Sequence, residues 1–200
     1  MKKVKIGVLI SGGGSNLQAI IDATQTTLLN CAEVAFVISN KPKVFGLQRA
    51  EKAKIPNLFL DPKLFTNKSA FYKKVIQIFQ NAQIEIICLA GFLSKLEPNI
   101  LQTYPNKILN IHPSLLPKFG GKGMYGHFVH EAVLKSNEKE SGCTVHLVNE
   151  EFDQGQILMQ QKVLIQAEDS AETLAARILK QEHILFPKAI AHFIQSTHSI

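Results

Sequence analysis

Residues 4–17 read Val-Lys-Ile-Gly-Val-Leu-Ile-Ser-Gly-Gly-Gly-Ser-Asn-Leu, an apolar run that leads into three consecutive glycines. The run Val4–Ile10 is continuous rather than alternating, which is typical of a strand buried on both faces of a parallel sheet. From residue 15 the apolar spacing becomes helical and predicts a helix over 15–28. The stretch therefore predicts a strand, a tight loop and a helix, which is the first unit of a doubly wound α/β fold.

The same alternation of strand and helix continues along the chain. Further strands are predicted at Val34–Ile38, Ile55–Leu60, Ile84–Ala90 and Ile108–Ile111, and further helices at 44–53, 67–82 and 97–104. This order predicts a mostly parallel sheet with right-handed crossovers. Ligands of such sheets bind beyond the carboxyl ends of the strands.

After residue 140 the pattern changes. Thr144–Val148 and Ile157–Ile165 are predicted to be strands joined by a short turn-containing segment, an antiparallel addition to the sheet. Asp169-Ser-Ala-Glu172 has the form of a capping box, so the last helix is predicted to begin near Asp169. It is predicted to run to about Pro187 and to resume as far as Ile194, with a frayed tail over 196–200.

The length favours a single domain over residues 1–200, with two small domains as the lesser alternative, and the 46% of hydrophobic residues can build a core without disulfides. The three cysteines are scattered, which argues against a secreted disulfide framework and a structural zinc site. No stretch has the roughly 18 apolar residues that a membrane helix requires. We therefore expect a cytoplasmic protein with no metal and no membrane partner.

The formal net charge is +6. A basic chain can bind nucleic acid, but the lysines are spread along this sequence and no aromatic residues are interleaved with them. We therefore expect no nucleic-acid partner and interpret the charge as a solvated basic surface. The sequence is compatible with a monomer or a homodimer.

The first predicted strand ends in the loop Ser11-Gly-Gly-Gly-Ser-Asn16. Glycines let the backbone approach a ligand, and free amides at a helix start face it with the positive end of the helix dipole. The loop therefore predicts a phosphate site, with the alternative that Ser15 or Asn16 simply caps the helix. The spacing matches neither Gly-x-Gly-x-x-Gly nor a Walker loop, so it does not favour dinucleotide binding or ATP hydrolysis.

Residues 107–117 read Lys-Ile-Leu-Asn-Ile-His-Pro-Ser-Leu-Leu-Pro. Because alternate residues of a strand project from one face, Asn110 and His112 are predicted to lie side by side at the carboxyl end of a strand. Two such hydrogen-bonding side chains could stabilise a developing oxyanion. The alternative is a polar pair that only satisfies backbone groups at the strand end.

Five motifs occur in the order seen in one family: Ser11–Asn16, Leu89–Leu93, Asn110–Lys118, Gly142–His146 and Asp153–Ile157. On these motifs the chain resembles the folate-dependent formyltransferases from about residue 4 to residue 194, and within them the branch that formylates phosphoribosylglycinamide in purine synthesis. The resemblance implies a Rossmann-like formyltransferase fold. It also implies two small-molecule substrates, phosphoribosylglycinamide and the co-substrate 10-formyltetrahydrofolate.

The resemblance further implies which residues act. The family's catalytic residues match Asn110, His112 and Asp153. The residues that hold the ribonucleotide match Gly14, Ser15 and Asn16 at its phosphate, and Glu182. The residues that hold the folate match Leu93, Ser94, Lys95 and Leu96, together with Asn110. Lys68 stands where the family often has an arginine near the folate tail, which keeps the charge but loses the planar fork.

Formyl transfer to an amine passes through a tetrahedral oxyanion, so the protein needs positioned donors rather than a nucleophile. We expect Asn110 to supply an amide N–H and a protonated His112 to supply a charged one. Asp153 would favour the imidazolium and could relay protons from the attacking amine through water. Surface or structural roles are expected for the other site-region candidates: Cys143, His127, His130, His146 and His183.

Two other functions stay open. A formyltetrahydrofolate hydrolase uses the same catalytic residues and gives the formyl group to water, although such proteins usually carry an extra N-terminal domain. The second open function is a non-catalytic phosphate- or nucleotide-binding module, and loss of Asn110, His112 or Asp153 would have favoured it.

Residues 119–127, with four glycines and no apolar periodicity, are predicted to form a mobile lid.

Overall fold

The structure is a computed structural model and describes residues 2–197. The strands are β1 Val4–Ile10, β2 Ala32–Ser39, β3 Asn57–Phe59, β4 Ile86–Leu89, β5 Ile108–His112, β6 Glu140–Leu147 and β7 Ile157–Leu164. The α-helices are α1 Ser15–Thr24, α2 Phe45–Lys52, α3 Lys68–Asn81, α4 Pro98–Thr103, α5 His127–Lys135 and α6 Ala171–Thr197, and a 3-10 turn covers Pro62–Leu64.

The seven strands form one sheet in the order β3-β2-β1-β4-β5-β6-β7. Strands β1 to β5 are parallel, while β6 is antiparallel to β5 and β7 is antiparallel to β6. The predicted α/β class and the antiparallel C-terminal addition are confirmed. The strand order reverses between β1 and β4, so a crevice opens where the loops that follow these two strands diverge.

Both faces of the sheet are covered, which explains why its central strands are continuous apolar runs. On one face Val8 and Ile10 of β1 pack in a buried cluster that includes residues of α1, α5 and α6. On the other face Leu9 packs in a cluster with residues of α3 and α4. Adjacent residues of one strand thus enter opposite halves of the core.

Three helices differ from the predictions. Helix α1 ends at Thr24 rather than at 28, where the Thr24 hydroxyl donates to the Ile21 carbonyl and competes with the helical hydrogen bonds. Helix α5 was not predicted at all. Helix α6 passes through Pro187 without a break and includes residues 196 and 197. Residues 198–200 of the predicted frayed tail lie outside the described residues.

Burial explains the continuity of α6. Proline removes one helical hydrogen bond and normally kinks a helix. Here Pro187 and its neighbours Phe186 and Ile190 are buried in the core. The packing of this face therefore outweighs the local cost of the proline.

The capping box of α6 lies one residue later than predicted. The Ser170 hydroxyl accepts from the Thr173 amide at 3.3 Å, and the Thr173 hydroxyl accepts from the Ser170 amide at 2.9 Å. The Asp169 carboxylate instead accepts from the Gln166 amide and pairs with Arg177. The reciprocal pair therefore joins Ser170 and Thr173 rather than Asp169 and Glu172.

None of the helices within residues 2–197 is both long enough and apolar enough to cross a membrane.

Candidate active site

A cavity of about 740 Å³ lies at the carboxyl ends of β1, β4 and β5. Its wall includes the glycine loop after β1, the segment after β4, the end of β5, residues 121–127, the loop after β6 and the first half of α6. Its volume falls in the range of small-molecule sites. The cavity is therefore large enough for a ligand contacted from several sides.

Asn110 and His112 leave the same face of β5 and both line the cavity. Strand β6 pairs antiparallel with β5, so that His146 lies opposite Asn110 and Thr144 opposite His112. The Thr144 hydroxyl donates to the Ser114 carbonyl at 2.6 Å and accepts from the Leu116 amide at 3.0 Å. Thr144 thus fixes the turn that follows His112.

His146 orients the carboxamide of Asn110. Its Nδ1 lies 2.9 Å from the Leu147 carbonyl oxygen, an acceptor, so Nδ1 carries the proton and Nε2 carries the lone pair. The Asn110 Nδ2 lies 3.1 Å from that Nε2 and donates one hydrogen to it. The second hydrogen of the Asn110 amide remains for a ligand.

Asp153 lies between two imidazoles. Its Oδ2 is 3.6 Å from His112 Nδ1 and accepts from the Gly121 amide at 3.0 Å, while its Oδ1 is 3.6 Å from His146 Nε2. Burial by itself would raise the pKa of Asp153, but its polar neighbours, among them the Gly121 amide that donates to it, outweigh burial and hold the pKa below its usual value. Asp153 is therefore an ionised carboxylate at neutral pH.

His112 is buried, and its Nε2–H donates to the Phe119 carbonyl at 2.8 Å. Burial lowers the pKa of His112, and the charge of Asp153 only partly opposes this effect. Asp153 thus favours the protonated ring, as expected, whereas burial favours the neutral one. The Nδ1 of His112 faces the Asp153 carboxylate.

The glycine loop exposes its amides to the cavity. Gly14 has φ +69° and forms the N-terminal cap of α1 without any side-chain hydrogen bond, so the alternative of a cap by Ser15 or Asn16 is not observed. Within residues 2–197, the amides of Gly13, Gly14, Ser15 and Asn16 have no hydrogen-bond acceptor. Such a row of free amides at a helix start suits an anion.

Asn16 and Glu182 form a buried pair that lines the same cavity as Asn110. The Asn16 Nδ2 donates to Glu182 Oε2 at 2.6 Å, and the Asn16 Oδ1 is buried with no partner in the described chain. Burial raises the pKa of Glu182, and the hydrogen bond from Asn16 opposes that rise. Helix α6 supplies Glu182 from the far end of the sequence, and it packs on the same face of the sheet as α1, so the two helices build this wall together.

Leu93, Ser94, Lys95 and Leu96 line the same cavity. Hydrogen bonds fix their backbone: the Leu93 amide donates to Ser11 Oγ at 3.1 Å, and the Tyr72 hydroxyl donates to the Lys95 carbonyl at 3.0 Å. Lys95 Nζ lies 5.2 Å from the ring centre of Phe152, an aromatic residue of the cavity that the sequence did not indicate.

Lys68, the residue expected near the folate tail, is exposed at the start of α3 and does not line the cavity.

A family model described as formyl transferase matches residues 4–190. The chain belongs to the formyl transferase family. Its sequence is 42% identical to phosphoribosylglycinamide formyltransferase of Haemophilus influenzae over 191 residues, which cover 96% of this chain and 87% of the relative. It is 47% identical over 189 residues to the trifunctional purine biosynthetic protein adenosine-3 of Chironomus tentans. Those residues cover 94% of this formyl transferase and 13% of that relative.

Solved structures agree with the fold of this formyl transferase. Glycinamide ribonucleotide transformylase 1 of Symbiobacterium toebii superposes with a TM-score of 0.92 at 38% identity, over 97% of this chain and 89% of that one. Phosphoribosylglycinamide formyltransferase of Brucella melitensis superposes with a TM-score of 0.88 at 42% identity, over 96% of each chain. The whole sheet, with its antiparallel end, is thus shared with these structures.

Two histidines of this formyl transferase were not anticipated as cavity residues. His146 contacts Asn110 as described above, and His130 on α5 is 4% exposed and lines the cavity. The His130 Nδ1 is buried without a partner in the described residues, and burial together with nearby His112 lowers its pKa. His127 is exposed at the mouth of the cavity, and His183 is half-buried behind the glycine loop.

Cys143 is fully buried in the apolar core, as predicted, and burial raises the pKa of its thiol to about 12. Across residues 2–197 no three His, Cys, Asp or Glu side chains are grouped so that they could hold a metal ion.

Residues 119–126 form an irregular segment before α5. The predicted lid covered residues 119–127, and its last residue, His127, is the first residue of α5. Gly121, Gly123 and Gly126 have φ values of +99°, +89° and +56°, which only glycine adopts freely. The first part of the segment is attached to His112 through the Phe119 carbonyl and to Asp153 through the Gly121 amide. The rest of the segment lines the cavity.

We expect the amides of residues 122–126 to exchange rapidly in the free formyl transferase and more slowly when both substrates are bound, because an ordered lid excludes water. Hydrogen exchange followed by mass spectrometry measures this change. Exchange that is slow in the free protein and unchanged by the ligands would contradict a mobile lid.

Proposed function

We propose that the chain transfers the formyl group of 10-formyltetrahydrofolate to the amine of N1-(5-phosphoribosyl)glycinamide in de novo purine biosynthesis. One observation carries this proposal: a single cavity joins Asn110, His112 and Asp153 to free loop amides on one side and to residues 93–96 on the other. An anionic acceptor and a folate can therefore meet at Asn110. The names of the relatives support the same acceptor and the same reaction.

Asn110 is the proposed first donor to the formyl oxygen. The folate supplies the formyl group, and negative charge develops on its oxygen as the amine attacks. Because His146 Nε2 takes one hydrogen of the Asn110 amide, the other is available and its direction is fixed in advance. A donor that is already oriented need not reorganise during the reaction, which is the main source of this kind of catalysis.

His112 and Asp153 are proposed to handle the proton of the attacking amine. The amine nitrogen forms a bond to the formyl carbon, the bond from that carbon to N10 of the folate breaks, and the proton lost by the amine is passed on to N10, so that tetrahydrofolate leaves. When His112 Nδ1 accepts a proton, the resulting N–H faces the Asp153 carboxylate and is stabilised by it. The Nε2–H, held by the Phe119 carbonyl in the free protein, becomes a charged donor to the formyl oxygen once the lid releases it. Lid closure and the protonation of His112 are therefore proposed to occur together.

The acceptor is proposed to span the distance from the glycine loop to Asn110. Its phosphate would bind the amides of Gly14, Ser15 and Asn16. Glu182 and the unpaired Asn16 Oδ1 would accept from its hydroxyl or amine groups. The phosphate and the reacting amine would thus lie at opposite ends of one bound molecule.

The proposed reaction is tested by its product. The protein is incubated with 10-formyltetrahydrofolate and phosphoribosylglycinamide, and the ribonucleotide is analysed by mass spectrometry. We expect formylated ribonucleotide. Tetrahydrofolate and free formate without formylated ribonucleotide would indicate a hydrolase, and unchanged folate would indicate a binding module.

The phosphate part of the proposal is tested best at Gly13. A side chain at Gly14 would lie 2.6 Å from the Gly46 Cα, so that substitution would disturb packing as well as binding. A Cβ at Gly13 meets no heavy atom within 4 Å. Gly13→Val therefore adds a side chain without disturbing the packing of the loop. It is expected to raise the KM for the ribonucleotide about 10- to 100-fold, which corresponds to the loss of one hydrogen bond to a charged group, roughly 1.5–3 kcal/mol.

The control for Gly13→Val is the affinity for folate in the same variant, measured by fluorescence titration, which is expected to be unchanged. An equal loss of both affinities would contradict the assignment of the loop to the phosphate.

A further inference from the structure

The amides of the glycine loop face the cavity because donors on α2 hold the neighbouring carbonyls on the opposite side. The Gly12 carbonyl accepts from the Gly46 amide at 3.2 Å, and the Gly13 carbonyl accepts from Arg49 Nε at 2.9 Å. In a trans peptide the C=O and the next N–H point in opposite directions. The N–H groups of Gly13 and Gly14 are therefore turned away from α2.

Arg49 lies on the outer side of the loop. Gly12, Gly13 and Gly14 line the main cavity, whereas Arg49 lines a separate depression of about 360 Å³ that it shares with Ser15 and four other residues. The loop thus separates the guanidinium of Arg49 from the cavity. A phosphate on the inner side and Arg49 on the outer side would face each other across a single peptide.

Helix α2 can come this close only because two glycines meet. A Cβ on Gly46 would lie 2.5 Å from the Ile10 Cδ1 and 3.0 Å from the Gly12 carbonyl oxygen. The Gly14 Cα would be 3.3 Å from the same Cβ. The contact between α2 and the loop is therefore a packed interface that positions the side chain of Arg49.

The guanidinium of Arg49 is itself held from several directions. Its Nη1 donates to Gln18 Oε1 at 3.2 Å, and its Cζ lies 4.7 Å from the ring centre of Phe45. Its Nε–H is committed to the Gly13 carbonyl. A planar, permanently charged group held in this way loses little freedom when the loop binds an anion.

We propose that Arg49 is the positioning residue of the phosphate subsite: its Nε–H holds the Gly13 carbonyl outward and so keeps the Gly14 amide directed at the phosphate. This role rests on the proposed function. Arg49 does not touch the substrate. It acts by fixing the orientation of one peptide group. Its positive charge lies behind that group and favours a bound anion.

Two substitutions separate the hydrogen bond from the charge. Arg49→Gln places a neutral N–H donor on the same carbon that carries Nε in arginine, so the bond to Gly13 can persist. Arg49→Met has neither donor nor charge. Lys52→Gln is the matched control, because Lys52 is exposed on the same helix and its substitution removes one positive charge.

We expect Arg49→Met to raise the KM for the ribonucleotide about 10- to 100-fold, the range that corresponds to one charge-assisted hydrogen bond. The kcat, the KM for folate and the melting temperature should be unchanged. Arg49→Gln should recover most of the loss, and Lys52→Gln should behave as the wild type. An unchanged KM in Arg49→Met, or an Arg49→Gln variant as weak as Arg49→Met, would overturn the proposal.

A binding measurement keeps this test separate from catalysis. Ribose 5-phosphate is titrated into each 15N-labelled protein, and the amide resonances of Gly13, Gly14 and Ser15 are followed. We expect shifts in the wild type and Arg49→Gln and much weaker binding in Arg49→Met. Equal binding by all three would overturn the role of Arg49, whereas failure of the wild type to formylate the ribonucleotide would overturn the proposed reaction alone.

Discussion

Asp153→Asn is expected to lower kcat by about 10²–10⁴-fold, the range for loss of an acid–base residue. The substitution keeps the shape of the side chain and removes its charge. Asp153 lies 3.6 Å from both His112 Nδ1 and His146 Nε2, so its charge is what stabilises a proton on either ring. The binding of both substrates should survive, because Asp153 is proposed to act on the proton and not on the ligands.

The pKa of His112 is the sharper readout for Asp153→Asn. Burial lowers the pKa of His112 and Asp153 raises it, so removal of the carboxylate should lower the pKa further. The fraction of imidazolium at a given pH should fall, and the pH range in which His112 is protonated should move to more acidic values. NMR titration of the imidazole resonances measures this shift directly.

Glu151→Gln provides the control for Asp153→Asn, since Glu151 is an exposed carboxylate of the same loop that also lines the cavity. Its removal should leave both kcat and the pKa of His112 close to the wild-type values. A His112 pKa that stays unchanged in Asp153→Asn would contradict the pairing and assign Asp153 another role.

The parts of the fold that local pattern determines could be predicted from the sequence. The strands are continuous apolar runs because both faces of the sheet are covered, and the glycine loop requires φ +69° at Gly14. Asn110 and His112 share a face because the side chains of a strand alternate. Each of these features depends on only a few neighbouring residues.

The parts that depend on long-range packing could not be predicted. The role of His146 depends on the register between β5 and β6, which places it opposite Asn110. The burial of His112, which outweighs the charge of Asp153, follows from the same assembly. Pro187 lies inside α6 because the core holds that face of the helix. Arg49 reaches the loop only through the close contact of Gly14 and Gly46.

We expect the largest effect on the rate of deformylation from the identity of the formyl acceptor, an amine or water. Asn110 and His112 would stabilise the same developing charge in either reaction, so the selectivity must come from the acceptor side of the cavity. A nucleophile held between the glycine loop and Asn110 gains roughly 7–11 kcal/mol over one that is free in solution. Deformylation of the folate should therefore be slow alone and faster by orders of magnitude with the ribonucleotide.

The rate of 10-formyltetrahydrofolate deformylation, followed by absorbance with and without phosphoribosylglycinamide, tests this account most directly. We predict a slow rate in the absence of the ribonucleotide and a rate several orders of magnitude higher in its presence. Glycinamide without the phosphoribosyl group should produce little of this acceleration, because it cannot use the loop amides. Brisk deformylation that is the same with and without the ribonucleotide would contradict the proposed transfer and identify the protein as a hydrolase.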